Sequence, residues 1–232
     1  MKQGCNKNYL RLSELAKECG EGNYFSKLLE KLHSPYMFVG EIRYIKETER
    51  QLCCLDDKAW EAFKSKVKNY ATRRAPLSRY SQVIDVLNEV KGYIYLKDQG
   101  YTSVEFVPEG NGEKPDLHAT GEIGEAFMEV KTIHMSDDEV KMLVNLNAPA
   151  KDVEEGIPEG LKKKLKDTVK KAKAQLSGKT GRRICYLFIK LDIGVWLDPQ
   201  NYEALDKYLK TLQGKTPEIE IKCEYNPRWD RS

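Results

Sequence analysis

The spacing of apolar residues changes near residue 77 and divides the chain into two predicted regions. Three segments before that point have apolar residues at helical spacing: 9–19, 24–33 and 56–70. The segment Met37–Ile45 between them is predicted to be a strand. Region 1–76 is therefore predicted to be mostly helical. It carries no chemical motif, and we interpret it as a region for substrate or partner contact.

Region 77–232 has a more regular pattern. A helix with one apolar stripe is predicted from residue 78 to about 97, followed by Gly100 at the position where a glycine commonly ends a helix. Further elements are predicted in the order strand, strand, strand, helix, strand, helix, strand: 101–107, 116–120, 126–133, 160–176, 184–191, 201–212 and 218–225. This order predicts an α/β fold with a central mixed β-sheet flanked by helices and a helix-strand extension at the C-terminal end.

Composition narrows the class of protein. The 232 residues are 40% hydrophobic and 32% charged, which fits a globular chain with one sizeable core. No apolar run is long enough to span a bilayer, and the N-terminus has no signal-peptide pattern, so we expect a cytoplasmic chain without a membrane partner. The six cysteines lack zinc-ligand spacing, and we expect them to be reduced, with Cys185 packing as a small apolar residue.

Candidate chemistry lies in the predicted hairpin. Asp116 begins its first strand, and Glu129 and Lys131 lie two apart in its second strand, so these last two share a face. A bend in the hairpin would bring Asp116 to Glu129. Two carboxylates beside an ammonium group can hold a hard cation and stabilise charge during phosphodiester hydrolysis. The alternative is a surface hairpin whose charged side chains are solvated.

These residues also carry a resemblance. The helix of residues 78–97, Gly100-Tyr101, Pro115-Asp116 and Glu129-Val130-Lys131 together resemble the PD-(D/E)XK nuclease superfamily, over about residues 78–191. The resemblance implies a restriction-endonuclease-like core with the order αβββαβ. It also implies that Asp116, Glu129 and the carbonyl of Val130 bind Mg²⁺, with Mn²⁺ able to substitute. Lys131 would then be the catalytic lysine.

Three further residues are candidates around this motif. Glu89 lies at the edge of the apolar stripe of its helix, and many members of the superfamily have a glutamate there that joins the metal shell. Otherwise it is an exposed carboxylate near Lys91. His118 and Gln175 are candidate accessory residues. The alternatives are a structural or solvated histidine and an ordinary helical glutamine.

Two cationic stretches suggest a partner. The net charge of +3 is too small to indicate nucleic acid, but Leu161–Arg183 has ten basic residues against one acid, and Lys64–Arg79 has six against none. The candidate nucleic-acid-binding residues are Arg73, Arg74, Lys162, Lys163, Lys166, Lys170 and Lys173. The alternative is a solvated helix face, which is the usual setting of a lysine run.

Together these patterns predict a Mg²⁺-dependent nuclease, with DNA favoured over RNA and a DNA endonuclease of restriction or repair type as the first hypothesis. A homodimer is compatible with cutting both strands. The alternatives are an RNA-directed nuclease, a nucleic-acid-binding module without turnover on the same fold, and a structural or interaction protein in which the hairpin is incidental.

Overall fold

A computed structural model describes residues 9–34, 38–72, 80–108, 110, 113–134, 157–189 and 199–225, the side chains of 199–201 excepted. The helices are α1 Leu10–Glu18, α2 Tyr24–Glu30, α3 Val39–Leu52, α4 Asp57–Lys68, α5 Ser81–Asp98, α6 Glu159–Gln175 and α7 Pro199–Lys215. A short 3-10 helix, Lys31–His33, follows α2. The strands are β1 Ser103–Phe106, β2 Leu117–Gly121, β3 Gly124–Ile133, β4 Arg182–Ile189 and β5 Glu220–Tyr225.

The five strands form one mixed sheet in the order β1-β2-β3-β4-β5. The first three strands are antiparallel neighbours, and β4 and β5 continue the sheet in parallel to β3. The β2–β3 hairpin pairs Leu117 with Met128 and closes at Gly121 and Gly124. The prediction of an α/β fold with a mixed sheet flanked by helices is therefore confirmed.

The predicted strand over Met37–Ile45 is wrong, because most of this segment belongs to helix α3. The buried residues of α3 are Ile45, Thr48, Glu49 and Leu52, at the i, i+3, i+4 and i+7 positions of a helical stripe. Phe38 and Val39, whose apolar side chains contributed to the strand prediction, are 75% and 76% exposed. Three of the four buried residues that define helix α3 therefore lie after Ile45, where the segment predicted to be a strand ends.

Helices cover both faces of the sheet. One core joins α1–α4 and α5 to one face, through residues such as Phe63, Val90 and Met128. A second core joins α6 and α7 to the other face. The regions 1–76 and 77–232 predicted from the sequence therefore share a core in their described parts.

Helix α5 lies unusually close to the hairpin at Gly92. A side chain at this position would come within about 3.0 Å of Met128 Sδ, Leu117 Cδ1 and Val130 Cγ2. Glycine therefore permits the close approach of helix and sheet. Glu89 lies three residues earlier on the same helix, so this packing also determines how near its carboxyl comes to the end of the hairpin.

The described cysteines differ in state. Cys19, Cys54, Cys185 and Cys223 are free thiols, whereas Cys53 is disulfide-bonded, so the prediction of a fully reduced chain is wrong at Cys53. Cys185 is buried in the second core, as predicted. Within the described parts of the chain, no helix is long and apolar enough to cross a membrane.

Candidate functional site

Asp116 lies where β2 begins and its backbone joins two neighbouring segments. Its N–H donates to the carbonyl oxygen of Met128 at 3.0 Å, and its own carbonyl accepts from the N–H of Val107 at 2.9 Å. Its side-chain Oδ2 accepts from the N–H of Val130 at 2.9 Å. The carboxylate is therefore fixed to the backbone of β3 between Glu129 and Lys131, so the two halves of the motif meet.

Glu129 and Lys131 share one face of β3, as the alternation predicts. The Lys131 ammonium donates to Glu129 Oε1, and the Glu129 side chain is only 1% exposed. Glu129 Oε2 is buried and has no hydrogen-bond partner among the described residues. A buried carboxylate oxygen without a donor is costly unless something else satisfies it.

Glu89 reaches the same place from α5. Its Oε2 accepts a hydrogen bond from Lys66 Nζ at 2.7 Å, and the same ammonium lies 3.7 Å from Asp116 Oδ1. The Glu89 side chain is 7% exposed, so it faces the protein interior rather than solvent. The structure thus brings Glu89 to the motif, as the resemblance implies, and adds Lys66.

Sequence reasoning missed Lys66 as a site residue. It lies in α4, in the cationic stretch that suggested a nucleic-acid surface, and nothing local marks it as different from its neighbours. Only the tertiary packing of α4 on α5 brings it to the carboxylates.

Burial dominates the electrostatics of this site. Burial, followed by repulsion from Asp116, raises the pKa of Glu89 to about 8. The same two causes raise the pKa of Glu129 to about 7. The ammonium groups of Lys66 and Lys131 oppose these shifts without cancelling them. The site therefore holds carboxylates that resist ionisation near neutral pH in the absence of a further cation.

The donor set suits a hard divalent cation. Asp116, Glu129 and Glu89 supply carboxylate oxygens, which are the ligands that Mg²⁺ prefers, and Glu129 Oε2 is an acceptor that no described group uses. As the side chains stand, no three His, Cys, Asp or Glu residues in the described ranges converge closely enough to hold a metal ion. The ammonium of Lys66 contacts Glu89 Oε2 at 2.7 Å and lies 3.7 Å from Asp116 Oδ1. The carbonyl of Val130 as a ligand stays a prediction.

The accessory candidates make no described side-chain contact with Asp116, Glu129 or Lys131. His118 Nε2 is 2.7 Å from Glu125 Oε1, and its ring stacks on Phe127 at 4.8 Å between centroids. Both contacts are with β3 on the turn side of the hairpin. Gln175 is the half-buried last residue of α6 and makes no side-chain hydrogen bond with the described residues. The accessory role of His118 and Gln175 stays a prediction.

The two predicted cationic stretches have different outcomes. On α6, Lys163, Lys166 and Lys170 are exposed and have no carboxylate partner among the described residues, so they form a free cationic stripe. Lys162 pairs with Glu159 at 2.5 Å, and Lys173 pairs with Glu218. These two predicted contact residues are thus partly neutralised within the protein.

The stretch Lys64–Arg79 does not provide a free cationic surface where it is described. Lys64 is 10% exposed and pairs with Glu14, Glu18 and Glu61. Lys68 pairs with Glu18 at 2.9 Å, and Lys66 points into the carboxylate site. Arg73 and Arg74 lie outside the described residues.

No protein-family model, no curated protein and no solved structure matches this chain. Three carboxylates from α5 and the hairpin, one with a buried oxygen that accepts no hydrogen bond from a described group, lie with two lysines where β2 begins beside β3. This arrangement can bind a cation and can stabilise negative charge on a bound group.

Proposed function

We propose that the chain is a Mg²⁺-dependent nuclease of the PD-(D/E)XK superfamily, with a restriction-endonuclease-like core made of α5, β1–β3, α6 and β4. One feature of the site supports this function most strongly. The fully buried Glu129, with an oxygen that no described group uses, lies beside Asp116 and Lys131 where β2 and β3 meet. A carboxylate in this setting is stabilised by a bound cation.

Each residue has a distinct role in this proposal. Asp116, Glu129 and Glu89 would hold the ion, which when bound polarises a phosphodiester and lowers the pKa of water. Lys131 is 29% exposed, so its ammonium can reach a bound phosphate while remaining beside Glu129. There it would orient the attacking water and stabilise the extra negative charge that develops on phosphorus-bound oxygens. The hydrogen bond from Val130 keeps the Asp116 carboxylate in place during this step.

The free stripe on α6 supports a nucleic-acid substrate. Lys163, Lys166 and Lys170 recur at i, i+3 and i+7, so their ammonium groups follow one side of the helix. Exposed lysines at this spacing can contact successive phosphates of a strand. We propose DNA as the substrate, with an endonuclease of restriction or repair type. An RNA substrate is the alternative within the same chemistry, and the homodimer and the cytoplasmic location stay predictions.

A second candidate is a nucleic-acid-binding module without turnover. The observation that favours it is Lys66, whose ammonium already balances part of the negative charge of Glu89 and Asp116. A site neutralised in this way could be a structural ion-pair network beneath a nucleic-acid-binding surface.

The test is a divalent-ion titration of the purified chain with labelled single-stranded, duplex and branched DNA and with RNA. We expect cleavage that requires Mg²⁺ or Mn²⁺, stops on chelation and differs among the substrates. Retention of a labelled oligonucleotide that is independent of metal and gives no product would favour the second candidate. If the chain neither cleaves nor binds any of these substrates, both candidate functions are contradicted.

A further inference from the structure

We infer that Lys66 is an internal cation that a divalent ion must displace, so that the N-terminal helical region controls access of metal to the site. The inference rests on the proposed function in that it assumes a divalent ion binds at Glu89 and Asp116. It adds a positioning role for a residue outside the proposed nuclease core.

The position of Lys66 is that of a counter-ion. Its Nζ lies 2.7 Å from Glu89 Oε2 and 3.7 Å from Asp116 Oδ1, so one ammonium is shared by two carboxylates from different elements. Its side chain is 11% exposed, and those of Glu89 and Asp116 are 7% and 22% exposed. The three groups therefore interact where water screens charge weakly.

A divalent ion and this ammonium compete for the same oxygens. Ligation by Glu89 and Asp116 uses carboxylate lone pairs on the side that Lys66 now occupies. An ion bound there would also lie within a few ångströms of a like charge. The lysine has a flexible four-carbon stem, so its ammonium can leave without movement of the backbone, towards the more exposed Asp116 side.

The rest of α4 is well anchored, so displacement concerns the side chain. Asp56 caps the helix and accepts a hydrogen bond from Tyr93 of α5 at 2.9 Å. Lys58 pairs with Glu105 of β1 at 2.5 Å. These contacts hold α4 against α5 and the sheet, and therefore hold the Lys66 backbone at a fixed distance from the site.

The experiment measures binding of Mg²⁺ and Mn²⁺ by calorimetry, without nucleic acid, to the unaltered chain and to two variants. Lys66→Met keeps much of the volume and removes the charge. Lys68→Met is the matched control, because it removes the same charge two residues away on α4 from a lysine that pairs with Glu18. We expect Lys66→Met to bind the ions at least about tenfold more tightly, and Lys68→Met to bind them unchanged.

A second measurement uses the unaltered chain and does not depend on the folding of a variant. Amine acetylation is mapped by mass spectrometry with and without Mn²⁺, and we expect labelling of Lys66 to rise severalfold with the ion while labelling of the buried Lys64 stays constant. Equal or weaker ion binding by folded Lys66→Met, or labelling of Lys66 that Mn²⁺ does not change, would overturn the displacement. Absence of ion binding to all three proteins would instead overturn the proposed metal site, and this inference with it.

Discussion

Lys64 and Lys66 of α4 each lie in a cluster of carboxylates. The two clusters contain the same residue types, but the pKa shifts of their carboxyls have opposite directions. Lys64 pairs with three carboxylates at 2.6–3.3 Å: Glu14, Glu18 and Glu61. Lys66 pairs with Glu89 at 2.7 Å and lies 3.7 Å from Asp116. In the first cluster the pKa values of Glu14 and Glu18 are lowered, and in the second the pKa of Glu89 is raised.

The difference lies in exposure rather than in the number of charges. Side chains of Glu14 and Glu18 are 37% and 34% exposed, and hydrogen bonds from Lys64 and Lys68, respectively, lower their pKa values. Side chains of Glu89 and Glu129 are 7% and 1% exposed, and burial raises their pKa values to about 8 and about 7. Nearby lysines therefore outweigh the effect of burial on the pKa of the more exposed carboxylates, and do not outweigh it for the buried ones.

This contrast is the reason that we place the proposed function at the hairpin cluster rather than at the Lys64 cluster. A cluster such as that of Lys64 stabilises the packing of α1 on α4 and requires no further group. At the hairpin, burial raises the pKa values of Glu89 and Glu129, and a bound cation would favour their ionised forms. Perturbed carboxyls also occur in structural networks, and substitutions of matched residues in the two clusters separate the two roles.

The largest expected effect is on cleavage. Lys131→Met, Glu129→Gln and Asp116→Asn should each lower the rate at least about a hundredfold, because each removes a group that contacts the ion or the reacting phosphate in the proposed mechanism. The rate is measured with a labelled DNA duplex at saturating Mg²⁺, and folding is checked by circular dichroism.

Two controls separate chemistry from folding. Glu125→Gln changes a glutamate of the same hairpin that pairs with His118, and it should cleave at the unaltered rate. Lys64→Met should melt at a lower temperature and yet cleave normally per folded molecule. Full cleavage by all three site variants would contradict the assignment of Asp116, Glu129 and Lys131.

The next effect is on stability, and it has opposite signs in the two clusters. The pKa of Glu129 is raised in the folded state, so the native protein holds the proton more tightly and loses stability as pH rises from the ordinary carboxyl pKa to about 7. Glu129→Gln removes this loss, and should stabilise the metal-free protein above about pH 7 by something on the order of 2 kcal/mol.

Glu14 provides the reverse case. Its pKa is lowered in the folded state, so it contributes stability above the ordinary carboxyl pKa and loses that contribution as pH falls. Glu14→Gln should therefore destabilise the protein at neutral pH and have little effect in acid. Urea unfolding in the presence of a chelator, at about pH 4 and about pH 8, measures both variants. The same sign for both variants at about pH 8 would remove the distinction between the clusters.

The smallest effect concerns the cationic stripe. Replacing Lys163, Lys166 and Lys170 with glutamine should weaken DNA binding and lower the slope of log K against log salt by about 0.9 for each phosphate that is no longer neutralised. Lys207→Gln and Lys210→Gln on α7 change exposed lysines outside the stripe and should leave the slope unchanged. Fluorescence anisotropy of a labelled duplex across a salt series measures the slope. Equal effects from the α6 and the α7 substitutions would mean that DNA binding depends on the total positive charge of the protein and not on the stripe.

The fold and the hairpin were predictable because their signals are local. The alternation in β3 places Glu129 and Lys131 on one face, and the two-residue turn between Gly121 and Gly124 aligns β2 with β3. Asp116 was predicted beside Glu129 on the condition that the hairpin bends. In the structure, the hydrogen bond from Val130 fixes that carboxylate on β3.

What the sequence did not predict depends on contacts between distant segments. Lys66 and Lys64 have similar neighbours in the chain, and only the packing of α4 between α1 and α5 assigns them to different clusters. The segment Met37–Ile45 was misassigned for a related reason. Its exposed apolar residues resemble a strand, and the buried stripe that defines the helix continues to Leu52.

Binding of Mn²⁺, followed by electron paramagnetic resonance, tests the central claim most directly, because it requires neither a substrate nor turnover. The unaltered chain and Glu14→Gln should bind the ion equally, and Glu129→Gln and Asp116→Asn should bind it at least about tenfold more weakly. Equal binding by all four proteins, or no binding by the unaltered chain, would contradict the claim that the buried carboxylates of the hairpin form a cation site.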